Sequence, residues 1–381
     1  MRFLHTADWH IGKKLNGYDL LADQKYILEQ ILQVAKDKQV DALVIAGDLY
    51  DRSVPAVDAV ELFNQTIVEM NLNNQLPILA ISGNHDSGVR LEAGSPWFAQ
   101  TKFHLHTRLA QAFVPVEMAD VQFYLLPYFE PFEARLYFEE DLKTIKAAMQ
   151  RVVEEMKKSF DPMKKQVLIS HFFVAGSSRT DSEIQIEVGG LDGVPADLLT
   201  DFSYVALGHL HNKDALQEKN SQYSGAPLKF SVSEANQQKG VFLVDTETGT
   251  REFIPLTPLH ELKVITASFQ ELLDPEYYQQ MDREAFLHVV LTDRMIIPNM
   301  MNQLRTIYPR ILSVERSAGV VEKRKIEKFK KRFNSPQQLI GDFFKEIASA
   351  QLTETQEEWI AKGLQAVTNR EKSEQTCSQE N

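Results

Sequence analysis

Apolar residues recur through the first two thirds of this chain in short runs that stop abruptly at small or polar residues. Arg2–Thr6, Asp41–Ala46, Leu76–Ile81, Gln166–Ile169 and Phe202–Leu207 are such runs, and each reads as a buried strand. Between the first three the period changes. Tyr18–Lys38 places Leu20, Ile27, Ile31 and Val34 at helical spacing, and Val57–Asn71 repeats the pattern. Strand–helix–strand–helix order predicts a largely parallel central sheet.

Farther on, Val121–Pro127 alternates as a strand does. Glu139–Lys158 reads as a long charged helix whose stripe of Leu142, Ile145, Met149, Val152 and Met156 packs on the core. Ser221–Ser224, Lys239–Asp245 and Arg251–Pro255 read as further strands with antiparallel connections, the last two joined by Thr246–Thr250. Beyond Pro255 the pattern restarts on a smaller scale. Glu261–Ala267, Phe286–Thr292 and Arg310–Arg316 are strand-like and Asn299–Ile307 is helical. Ser335-Pro336 is a helix start, since Ser caps and Pro suits the first turn. Leu339, Ile340, Phe343, Phe344 and Ile347 follow at helical spacing. A second helix near Thr353–Thr355 carries Trp359, Ile360, Leu364 and Val367. Two short amphipathic helices cannot bury their apolar faces alone, so they must dock on the body or on another protein. The domain boundaries expected from these shifts are 1–255, 256–320, a linker 321–334, a helical segment 335–368 and a disordered polar tail 369–381.

Composition narrows the class. A 43% hydrophobic share allows a sizeable core, and the formal net charge of −12 argues against holding nucleic acid by bulk electrostatics. It leaves DNA open as a substrate, because bound cations reverse the local sign. The single cysteine, Cys377, excludes an internal disulfide framework and suits a reducing compartment. The chain runs straight into a strand without a basic-then-apolar leader, and no apolar run spans a bilayer, so a cytoplasmic protein is expected. One basic run, Glu322–Phe333, reads equally as a solvated linker and as a phosphate contact. Phe172–Pro195, polar and Gly-rich, reads equally as a rim or lid and as a passive loop.

The chemistry lies just past the five strand ends: Asp8-Trp9-His10, Gly47-Asp48-Leu49-Tyr50-Asp51, Gly83-Asn84-His85-Asp86, Ser170-His171 and Gly208-His209-Leu210-His211. Ligands collect outside the carboxyl ends of strands in α/β sheets. Each motif alone is weak, and Asp-x-His or Gly-Asp is most often a surface pair or a turn. Together Asp8, His10, Asp48, Asn84, His171, His209 and His211 supply only oxygen and imidazole nitrogen. That set suits manganese, iron, zinc or magnesium, and it is too large for one tetrahedral ion. A pair of ions sharing a bridging carboxylate, at about 3.5–4 Å, accounts for it. His5, His104, His106, His260 and His288 lack this context and read as ordinary surface or core residues.

The order Asp-x-His, Gly-Asp, Gly-Asn-His-Asp, His, Gly-His-x-His resembles the calcineurin-like metallophosphoesterases. The resemblance extends to their SbcD nuclease family through Tyr223-Ser224-Gly225-Ala226-Pro227 and Lys239-Gly240-Val241. It implies a four-layer α/β/β/α sandwich, a small α+β cap domain that contributes to DNA binding, and C-terminal helices. It implies a manganese-dependent nuclease of DNA ends, 3′–5′ exonuclease on duplexes and endonuclease on single strands and hairpins. Two divalent ions, manganese the expected metal, would be held by Asp8, His10 and His211 on one side and by Asn84, His171 and His209 on the other, with Asp48 between. His85 would orient the phosphate or protonate the leaving oxygen. Asp51 would accept a hydrogen bond from His85, a role of no more weight than a turn or helix cap. Lys13, Arg52 and Arg90 are candidate phosphate contacts. The tail residues Leu339, Ile340, Phe343, Phe344, Ile347, Trp359 and Ile360 would bind an SbcC-type ATPase. Dimerisation would use parts of Val57–Asn71 and Ser87–Phe98 and build a heterotetramer. A small-molecule phosphodiesterase or a phosphoprotein phosphatase is the alternative. Asp51-Arg52 matches the phosphatases, but Ser53 stands where they carry Gly.

Overall fold

The structure is a computed structural model that describes residues 1–178, 180–181, 193–293, 295, 297–317, 336–348 and 351–377. The five apolar runs form strands Arg2–Thr6, Ala42–Ile45, Ile78–Ile81, Lys165–Ser170 and Tyr204–Leu207. They divide between two sheets. The first has the order Thr250–Pro255, Gly240–Asp245, Arg2–Thr6, Ala42–Ile45, Ile78–Ile81, Phe103–His106. The second runs Ser221–Tyr223, Tyr204–Leu207, Lys165–Ser170, Val121–Leu126, Val116–Met118. Arg2–Thr6, Ala42–Ile45 and Ile78–Ile81 pair in parallel, as strand–helix alternation requires.

Strands buried on both faces carry apolar residues on both, which is why these runs do not alternate. Phe3, Val44, Leu79 and Ile81 of the first sheet pack on Phe123, Leu125, Val167 and Ala206 of the second. Phe3 meets the rings of Phe123 and Tyr204 edge-on at 5.5 and 5.9 Å. The opposite face of the first sheet is covered by helices Leu21–Asp37 and Val57–Ile67 through Ile27, Ile31, Leu62 and Phe63. That of the second is covered by Ile145–Lys157 through Met149, Val152 and Met156. The result is the expected α/β/β/α sandwich.

Local expectations are corrected at several points. Helix Leu21–Asp37 starts three residues late because Tyr18–Asp19 pairs with Lys14–Leu15 as a small hairpin. Val57–Asn71 is an α-helix to Ile67 and a π-helical turn over Val68–Asn73. The long charged helix begins only at Ile145, where the Thr144 hydroxyl caps the Ala147 N–H at 3.2 Å. Pro131–Phe138 forms a separate helix ended by left-handed Glu139, and Leu142 is buried between the two. Ser221–Tyr223 is parallel to Tyr204–Leu207, not antiparallel, because the chain crosses back through the loop after His211. Phe103–His106 and Val116–Met118 extend the sheets at their edges.

A polar residue, His5, sits inside the intersheet layer. His5 is fully buried, with Nδ1 3.0 Å from the Tyr204 hydroxyl and Nε2 3.2 Å from the Leu207 carbonyl. Burial drives its pKa down to about 3. The unfolded chain protonates His5 near 6.5 and the folded one does not, so stability is lost as pH falls below about 6.5, at up to about 1.4 kcal/mol per unit. His5→Gln is expected to remove that slope, losing about 2 kcal/mol less than the wild type between pH 6.5 and 5. Chemical denaturation at both pH values measures this, and parallel curves would refute it.

Leu262–Ala267, Phe286–Leu291 and Ile311–Arg316 form a three-stranded parallel sheet. Leu272, Leu304 and Tyr308 cover one face of it. This unit touches the sandwich at defined points. The Tyr18 hydroxyl donates to the Pro309 and Ile311 carbonyls, and the His260 ring meets buried Asp23 at 2.9 Å. Helices Pro336–Ala348 and Glu354–Cys377 follow. The second continues through 369–377, where a disordered tail was expected, because that stretch holds no Gly or Pro to end it. Phe343 and Trp359 are exposed. The basic run Glu322–Phe333, residue Ser335 and half of Phe172–Pro195 lie outside the described residues. No described helix is long and apolar enough to cross a membrane.

Candidate metal centre

The five polar turns meet at the carboxyl ends of the two sheets. Their backbones carry the cost of that convergence. Asp8, His10, Asp48 and His209 all have left-handed φ, of 54°, 44°, 51° and 91°. Each such non-glycine residue costs about 1–3 kcal/mol, and such strain gathers at functional sites. Glycines allow the close approach. A Cβ on Gly47 would enter the His171 ring, and one on Gly83 would enter the Asp48 carboxylate.

Two groups of donors result. In the first, His10 Nε2 and His211 Nε2 lie 3.1 Å apart, and Asp8 joins them in one cluster. In the second, the Asn84 side-chain oxygen lies 3.1 Å from His171 Nε2 and 3.0 Å from His209 Nδ1. Asp48 spans them, its Oδ2 3.5 Å from His10 Nε2 and 3.3 Å from His171 Nε2. Asp8 accepts the His209 backbone N–H at 3.0 Å. All seven residues picked from the motifs are therefore brought together, six of them buried and Asn84 half-buried.

The electrostatics are those of a crowded, dry donor set. Burial raises the Asp8 carboxyl to about 7, against the pull of His171 and His211. Burial also opposes ionisation of Asp48, but His171, His10 and His85 outweigh it and hold its pKa well below the usual range. Burial would lower His171, yet Asp48 and Asp8 raise it to about 9. His10 is held well below its ordinary value, chiefly by burial. At 3.1 Å the two Nε2 atoms can share one proton as an N–H···N bond, and with both rings deprotonated at Nε2 they would face a cation together. Oxygen and imidazole donors in two groups, bridged by one carboxylate, fit a pair of divalent ions.

His85 stands beside this set. Its backbone N–H donates to Asp48 at 2.9 Å, and its Nε2 lies 4.0 Å from Asp48 Oδ2 with the side chain 10% exposed. The expected partner is corrected. His85 Nδ1 meets the backbone carbonyl of Asp51 at 2.9 Å, not its carboxylate. That carboxylate is drawn the other way, to Lys13 Nζ at 2.7 Å, with His10 Nδ1 at 3.7 Å. Lys13 is thus at the centre but already paired. Arg52 points to solvent, its Nε 3.7 Å from Asp51, and Arg90 is exposed on the short helix Gly88–Glu92.

Four supporting residues carry no motif signal of their own or were passed over within one. Asp86 accepts the N–H groups of Leu49, Tyr50 and Gly83 and so ties two turns together. Gln24 accepts from Gly12 N–H and donates to the carbonyls of Trp9 and His10. Glu234 faces His211 Nδ1 at 3.4 Å and is paired with Lys239. Asp86 lies within a site motif and Lys239 opens the Lys239-Gly240-Val241 stretch, whereas Gln24 and Glu234 look like any polar residue of their segments.

Residues 1–213 match the calcineurin-like phosphoesterase family, and residues 258–347 match the type 5 capsule protein repressor C-terminal domain. The chain is 36% identical over 377 residues, 97% of its length and all of the relative's, to the SbcD subunit of the nuclease SbcCD from Staphylococcus epidermidis. Among solved structures, a Thermus thermophilus protein overlaps 67% of the chain and 98% of its own at 13% identity and a TM-score of 0.40. A dimetal phosphatase from Danio rerio overlaps 64% of the chain and 91% of its own at 14% identity and 0.39.

Proposed function

Because this chain belongs to the calcineurin-like phosphoesterases, and within them to the SbcD nucleases, a family of metal-dependent hydrolases, we propose that it cleaves DNA phosphodiesters with two manganese ions. The observation that carries this reading is Asp48, set between a His10–His211 pair and an Asn84–His171–His209 group. Asp8, His10 and His211 would hold one ion and Asn84, His171 and His209 the other, with Asp48 shared. Bound there, the ions would offset the phosphate charge and lower the pKa of an attacking water.

The protein's own groups do the rest. His85 cannot easily turn to the ion beside its neighbour Asn84. Its Nδ1 is anchored on the Asp51 carbonyl, so Nε2 is presented toward substrate, where it can orient the phosphate or protonate the leaving 3′ oxygen. Lys13 lies near enough to add a phosphate contact if substrate draws it from Asp51. The finer activity is 3′–5′ exonuclease on duplex ends and endonuclease on single strands and hairpins, in DNA end processing, repair and recombination. The relative's name places it in a complex with a second protein. Here the helices bearing exposed Phe343 and Trp359 are the proposed binding surface for an SbcC-type ATPase in the cytoplasm, within a heterotetramer built on a homodimer.

The test is a labelled duplex incubated with the chain and its ATPase partner. Cleavage is expected in manganese and should stop on chelation. Intact DNA across manganese, magnesium and zinc, beside turnover of a chromogenic phosphodiester, would transfer the assignment to a small-molecule phosphodiesterase.

A further inference from the structure

The His211 side chain is held from two directions by one buried ion pair. Glu234, in the short turn Val232–Glu234, is fully buried and puts Oε1 3.4 Å from His211 Nδ1. Its other oxygen lies 2.6 Å from Lys239 Nζ, whose side chain is 6% exposed. The same ammonium donates to the His211 backbone carbonyl at 2.8 Å and to Gln237 at 2.8 Å. Ring and backbone of one residue are thus fixed by the two partners of a single pair.

Burying a carboxylate and an ammonium is costly, and the pair alone seldom stabilises a fold over apolar replacements. What this pair does locally is fix the tautomer. With Nδ1–H turned to a carboxylate, His211 must present Nε2 as a lone pair, and that atom lies 3.1 Å from His10 Nε2. His171 differs: its Nδ1 backs onto the neutral Ala46 carbonyl at 2.7 Å. A carboxylate behind a ring makes it the more basic donor.

We propose that Glu234, held in place by Lys239, is a positioning residue for His211 and sets the affinity of the cation site that His211 shares with His10 and Asp8. This rests on the two-ion reading above. Neither residue touches substrate; both act through the ring.

The test is a Mn²⁺ titration of the metal-free, full-length chain, read by the electron paramagnetic resonance of free Mn²⁺. The wild type is expected to take two ions. The double variant Glu234→Leu/Lys239→Met removes both charges, so no buried ion is stranded. It is expected to weaken one site about 10–100-fold and leave the other unchanged. Its metal-free melting temperature should stay within a few degrees of the wild type. Glu234→Gln, which retains an oxygen able to accept from Nδ1–H, should recover part of the loss. Two unchanged affinities in the double variant overturn the inference alone, as does a parallel fall of both sites with the melting temperature, or a Gln variant no better than the double one. A wild-type chain that takes up no ion overturns the two-ion reading, and this inference with it.

Discussion

Asp48→Asn is expected to cut DNA cleavage about 10³-fold or more and to cost the chain a bound ion, since stabilising charge in the transition state is worth several kcal/mol. The geometry says why. One carboxylate oxygen lies 3.5 Å from His10, 3.3 Å from His171 and 4.0 Å from His85. Asp8 also groups with His10 and His211 and with His171, within 4.8 Å. Asn keeps the shape and can still accept the His85 N–H that Asp48 Oδ1 now accepts at 2.9 Å, so the turn should survive. What it loses is the negative charge, which the surrounding histidines maintain in Asp48 against its burial. Metal content of the purified variant and nuclease rate on a labelled duplex, measured together, test this. A variant with both ions and more than a tenth of the activity would show that the bridging role is wrong.

His85→Ala should behave differently. Its ring is not needed to close either donor group, so metal content and DNA binding should match the wild type. Turnover should fall about 10²–10⁴-fold, the usual yield of a positioned acid or base. The signature is a loss in kcat with KM little changed. If metal content fell in proportion to activity, His85 would belong with the ligands instead. Asp51 now stands apart from this pair. Its carboxylate faces Lys13 and the His10 ring, and only its backbone carbonyl reaches His85. Removing the Asp51 carboxylate therefore should not reproduce the His85→Ala kinetics.

Much of this site could be read from local pattern. A buried strand that ends in a polar turn is a signal carried by a handful of adjacent residues, and all five such ends were placed to within two residues. The donor atoms were legible too, because ligand chemistry belongs to residue type. Helix starts were less legible. Tyr18 and Glu139 have ordinary helical propensity, and a hairpin and a left-handed turn took them instead.

The sequence alone determined which side chains could serve a pair of hard cations, and which strands would carry them to one edge. Only the tertiary structure decided what stands behind those side chains. Glu234 and Lys239 lie 23 and 28 residues beyond His211 in the chain, and although Lys239 opens a stretch that carries the family resemblance, nothing local ties either to His211. Gln24 bonds the backbone of a loop 14 residues away. Asp51 turned from His85 because Lys13 lay closer. Such choices depend on distances across the fold, and hydrogen bonds and charges act over a few ångströms of space whatever their separation along the chain.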